Sequence, residues 1–153
     1  MTEEKVDEPS KRQSADLAEQ IEAAGEISPG LLIQTLRQGE ITLFEDLFAR
    51  LTGLDTVVVR RSIFEPGGEG LAIACKAVGI NKPDFTSIFL LSRSARPGDK
   101  VVDPSELSAV ISLFDRMRPY SAIKVLRRWR LDPNFLFALK QLEPRSGKRP
   151  QKG

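Results

Sequence analysis

Apolar residues along this chain recur three and four positions apart, the spacing that lines one face of an α-helix. Leu43, Phe44, Leu47, Phe48 and Leu51 form one such stripe, and Leu107, Val110, Ile111, Phe114 and Met117 another. Shorter stripes run through Leu31, Leu32 and Leu36, then Leu71, Ala74, Cys75 and Val78. Ile123, Leu126 and Trp129 form the next, and Phe135, Leu136, Leu139 and Leu142 the last. No segment alternates apolar and polar residues long enough to predict a half-buried strand. Val57-Val58-Val59 is β-branched and locally favours a strand. Its flanking cap and its length match the neighbouring segments, so helix is predicted from Asp55 to Phe64.

Punctuation between the stripes agrees with helices. Asp103-Pro104-Ser105-Glu106 places an acceptor at the N-cap, proline at the first helical position and glutamate at the third. Ser28-Pro29 and Asp132-Pro133 repeat the cap-then-proline pattern. Gly53-Leu54-Asp55 and Gly79-Ile80-Asn81 use another device. Glycine ends one helix, the aliphatic residue staples onto the next, and Asp or Asn caps it. These two triplets close a faint internal repeat: Ala49 to Asp55 resembles Cys75 to Asn81, with Leu131-Asp132 a weaker echo. Repeated capped segments with short connections predict an all-α fold of stacked antiparallel helical hairpins, either a short HEAT-like solenoid or an irregular bundle.

Charge divides the 153 residues unevenly. Residues 1–30 carry eight acids and three bases, whereas residues 118–153 carry two acids and ten bases. Residues 1–13 and 144–153 hold too little apolar material to offset ordering, so both are predicted to be disordered tails, the second one basic. The remainder, 14–143, is read as a single helical domain. No apolar run approaches the roughly 20 residues a membrane span needs. Met1 to Ser10 lacks the apolar core of a signal peptide, so a cytoplasmic protein is expected.

The stretch from Ile27 to Arg93 resembles a bacterial family catalogued as domain of unknown function 2336. The resemblance is carried by Leu31-Leu32-Ile33-Gln34-Thr35-Leu36-Arg37-Gln38-Gly39 and by Leu43 to Gly53. It continues through Val59-Arg60-Arg61, Gly67 to Ala72 and Cys75-Lys76-Ala77-Val78-Gly79. Most of these residues are helix punctuation and helix face. The resemblance implies a helical-hairpin fold and a bacterial origin, and it implies no reaction.

The inventory for chemistry is thin. The chain has no histidine, which removes His-based triads, phosphorelay histidines and Cys/His zinc sites. Cys75, the sole cysteine, sits in an apolar helical stretch and reads as a small buried hydrophobe. Glu65-Pro66-Gly67-Gly68-Glu69-Gly70 is glycine-rich, but no Lys-Ser/Thr pair follows and two glutamates would repel phosphate, so it reads as a hairpin turn. Arg60 and Arg61 beside Glu65 and Glu69 suggest helical ion pairs of small worth. Glu45 and Asp46 are adjacent on a helix and point apart. No catalytic residue, cofactor or metal ligand is therefore expected.

The segment Lys124 to Arg130 is the most distinctive. Lys124, Arg127 and Arg128 share one helical face, Ile123, Leu126 and Trp129 another, and Arg130 lies beside the second. Lys124, Arg127, Arg128, Trp129 and Arg130 are the candidate partner contacts. The expected function is a non-catalytic protein-binding or regulatory module whose partner is another, acidic protein. The alternative is a nucleic-acid-associated protein using the basic C-terminal helix and tail, in which the arginines meet phosphates and Trp129 stacks on a base. Burial of Trp129 decides whether it belongs to the core or to the contact.

Overall fold

The structure is a computed structural model that describes residues 2–63, 65–95 and 102–131. Among these residues all regular structure is helical: α1 (Thr2–Ala23), α2 (Pro29–Arg37), α3 (Ile41–Thr52), α4 (Thr56–Ile63), α5 (Glu69–Ala77), α6 (Lys82–Ala95), α7 (Pro104–Arg116) and α8 (Pro119–Leu131). The all-α expectation holds, including α4, where Val57-Val58-Val59 is helical. Tertiary burial overrides the local preference: Val58 and Val59 are both in the core.

One boundary needs correction. Residues 2–13 belong to α1, not to a disordered tail. The apolar signal that anchors this helix lies downstream, in Ala18 and Ile21 on the core. The helix continues back from that anchor through residues with little apolar content of their own, and past Pro9, which has no N–H to donate. The Asp132-Pro133 start, the Phe135 to Leu142 stripe and the basic segment 144–153 lie outside the described residues.

The helix ends follow the sequence signals. The Ser28 hydroxyl accepts from Leu31 N–H at 3.1 Å, and Asp103 accepts from Ser105 N–H at 3.3 Å. The two glycine triplets behave alike. Gly53 and Gly79 are left-handed, with φ of 77° and 86°. The amides of Leu54 and Ile80 then donate back to the carbonyls of Ala49 and Cys75, at 3.1 and 3.0 Å. Leu54 and Ile80 are buried. Asp55 accepts from Val57 N–H at 2.8 Å and Asn81 from Asp84 N–H at 2.9 Å. The faint sequence repeat is thus a repeated corner, with the chain turning the same way twice.

Packing joins helices well separated in order. The most extensive contacts pair α5 with α8, α1 with α3 and α2 with α6, and α5 also meets α7. The α1–α3 and α5–α7 pairs are those of stacked hairpins, while α2 against α6 closes the stack into a bundle. The core is built on Leu32, Phe44, Leu47, Phe48, Leu71, Phe85, Ile88 and Phe89, extended by Leu126 and Trp129 from α8. Phe85 stacks on Phe114 with ring centroids 4.7 Å apart, fixing α6 against α7.

Candidate functional site

Helix α8 carries the predicted contact residues, and its two faces have different fates. Ala122, Leu126 and Trp129 point inward and are buried. Trp129 is 1% exposed, so it is a core residue and not a contact. Its Nε1 is buried without a hydrogen-bond partner among the described residues. Lys124, Arg127, Arg128 and Arg130 are exposed.

Arg130 separates from the other cations. Its Nε donates to the Thr52 carbonyl at 2.7 Å, and its side chain crosses Gly53 so closely that a Cβ there would lie 2.7 Å from that nitrogen. The last carbonyls of a helix lack intrahelical partners, and here a cation from α8 satisfies one at the end of α3. Arg130 is an internal brace.

What remains outward on α8 is a stripe that sequence reasoning had only in part. Tyr120, Lys124, Arg127 and Leu131 fall at i, i+4, i+7 and i+11, on one line of the helix. Tyr120 is 69% exposed and Leu131 82%. Lys124 Nζ stands 5.4 Å from the Tyr120 ring. Neither Lys124 nor Arg127 has an acidic partner among the described residues. No acid occurs from Arg116 to Leu131, whereas Arg116, Arg118, Lys124, Arg127, Arg128 and Arg130 all do. The terminal apolar pair, Tyr120 and Leu131, was legible as a continuation of the cation spacing by four residues on either side.

Beside the start of α8 lies an open cleft of about 570 Å³ between the α5–α6 corner and the α7–α8 corner. Its wall includes Val78, Phe114, Pro119 and Ile123. Lys76 Nζ sits over the Phe114 ring at 4.4 Å, and Lys82 pairs with Asp115 at 3.0 Å on the rim. Both cations are engaged within the protein.

The remaining sequence candidates resolve as structure. In the glycine-rich turn, the Glu65 carboxylate accepts from Gly70 N–H at 3.1 Å, occupying the anion position at the start of α5. A side chain on Gly68 would collide with the Phe89 ring, so close packing explains that glycine. Arg93, buried at 7% exposure, donates to the Pro66 carbonyl and to Glu106 Oε2 at 2.5 Å, tying this turn to α6 and α7. Glu106, predicted to complete a capping box, carries this pair. Arg60 meets Glu45 at 3.4 Å, across from α4 to α3.

Glu45 and Asp46 both have raised proton affinities. Burial pushes the Glu45 carboxyl up, opposed by the nearby Arg60 cation. Burial also raises Asp46, opposed by Arg50 and Arg60. Burial alone raises the Cys75 thiol, leaving no nucleophilic thiolate at neutral pH. Among the described residues no cluster of His, Cys, Asp and Glu is placed to hold a metal ion, and no helix is long and apolar enough to cross a membrane.

No curated protein and no solved structure matches this chain. A family model described as an uncharacterised protein conserved in bacteria (DUF2336) matches residues 1–127. That match extends the resemblance over Ile27 to Arg93 in both directions, across α1 and most of α8. With so much of its length covered, the chain belongs to this family.

Proposed function

We propose that the chain is a non-catalytic, cytoplasmic protein-binding module whose docking face is the outward stripe of α8. The observation that supports this reading is the division of one helix between two tasks. Its inner face is fully used in packing, while the outer line presents Tyr120, Lys124, Arg127 and Leu131 to solvent. An exposed aromatic, two cations and a leucine on one line have the composition of a helical contact surface, with tyrosine and arginine the residue types enriched at interfaces. The charge favours an acidic partner. Burial of Trp129 argues against the nucleic-acid reading, because the base-stacking platform that reading needs is inside the core.

The test is site-specific photo-crosslinking in the native bacterium, with a crosslinking phenylalanine analogue at position 120. A protein adduct that disappears in the Lys124→Glu/Arg127→Glu variant supports the reading. Salt-sensitive binding of a single-stranded or duplex oligonucleotide by fluorescence anisotropy, with no protein adduct, overturns it.

A further inference from the structure

The charge pattern on α8 has a counterpart of opposite sign on α1. Arg12, Asp16, Glu19 and Ala23 fall at i, i+4, i+7 and i+11 and are all exposed, with the two acids at the centre of the line and Arg12 where α8 has Tyr120. Tyr120, Lys124, Arg127 and Leu131 fall at the same intervals on α8 and are likewise exposed. On both helices the opposite face is in the core, through Ala18 on α1 and through Leu126 and Trp129 on α8. Neither Asp16 nor Glu19 has a basic partner among the described residues, just as Lys124 and Arg127 have no acidic one.

Both helices are also tied to the same turn. Glu22 of α1 pairs with Arg50 at 2.6 Å, and Arg130 of α8 donates to the Thr52 carbonyl at 2.7 Å. The acidic and basic faces therefore belong to helices that meet the C-terminal end of α3. In a two-fold dimer with α1 of each copy against α8 of the other, both charged faces would be satisfied at once. Such an isologous contact closes on itself and leaves no unpaired end.

We propose that the partner of the α8 face is the acidic face of α1 in a second copy of this chain, forming a two-fold dimer. This inference rests on the reading of α8 as a docking face. The complementary pairs Asp16 and Glu19 with Lys124 and Arg127 are solvent-exposed at the rim, so the association is weak and salt-dependent.

Sedimentation equilibrium on the full chain tests it. At about 0.5 mM protein and ~20 mM salt, where charges are screened only beyond some 20 Å, the weight-average mass is expected to approach twice the monomer's 17.0 kDa. It returns to the monomer value near 0.5 M salt. Lys124→Glu/Arg127→Glu alone and Asp16→Lys/Glu19→Lys alone are each expected to stay monomeric. An equimolar mixture of the two restores the dimer, because every contact again joins opposite charges. Wild-type protein that stays monomeric at low salt, or a mixture that does not associate, overturns the self-association. If the position-120 crosslinker then still captures a different protein that Lys124→Glu/Arg127→Glu releases, the docking reading stands without the dimer. Loss of both results removes both.

Discussion

Arg130 and Thr52, 78 residues apart in the chain, share a hydrogen bond of 2.7 Å that joins the end of α8 to the end of α3. The arginine lies over Gly53, whose left-handed backbone and missing side chain make room for it. Two independent demands thus fall on one glycine. Arg130→Ala is expected to lower stability by about 1 kcal/mol, the scale of a partly exposed charge-assisted hydrogen bond. Gly53→Ala should cost about 1–2 kcal/mol, from backbone strain together with displacement of Arg130. Urea denaturation followed by circular dichroism measures both. A double variant less destabilised than the sum of the two would confirm that they act through the same contact.

Trp129 is the sole tryptophan and is wholly buried. Its fluorescence should be blue-shifted and shielded from acrylamide in the folded protein, and both properties should vanish on unfolding. Trp129→Ala should cost about 3–5 kcal/mol through cavity formation. Trp129→Phe should fall within ~1 kcal/mol of wild type, since losing ring volume is offset by removing a buried N–H that lacks a partner. A red-shifted, readily quenched emission from the native protein would show that the ring is on the surface.

The helices were largely readable because capping and periodicity are local. Ser28, Gly53, Asp55, Gly79, Asn81 and Asp103 act at the ends assigned to them, each through a contact with residues no more than five positions away. Contacts across the fold were not readable in this way. In sequence Arg130 reads as part of a basic patch, because nothing near it along the chain reveals Thr52. Glu106 reads as part of a cap, because the competing Arg93 lies on another helix. Arg60 passes over the acids near it in sequence and meets Glu45. For the candidate site, the cation spacing on α8 was legible, but the burial of Trp129 depended on which face α5 covers.

Glu45 makes the stability of the protein depend on pH. Its folded-state proton affinity is raised above the ordinary value of 4.5, chiefly by burial. The folded state therefore holds this proton more tightly than the unfolded chain does. The resulting stabilisation is fully present below pH 4.5 and is lost as pH rises through the folded-state value. Glu45→Gln, which carries no charge to desolvate, is expected to have a higher urea midpoint than wild type at pH 7. The difference should shrink as pH falls toward 4.5. An equal difference at all pH values would show that the carboxylate is not desolvated.

Cys75 is buried completely, and its thiol is held above its ordinary acidity range. A thiol reagent such as dithionitrobenzoate should react with it only as fast as the protein opens, and rapidly in urea. Reaction with the native protein at the rate of a free thiol would place Cys75 at the surface.

Helix α8, as we propose, works on two faces, one for packing and one for docking. Urea denaturation of Lys124→Glu/Arg127→Glu beside Leu126→Ala distinguishes the two faces. The outward pair should stay within about 0.5 kcal/mol of wild type, while Leu126→Ala should lose about 2–4 kcal/mol. If the outward pair destabilises the fold as much as the inward leucine does, those cations are structural and α8 has no free face to offer a partner.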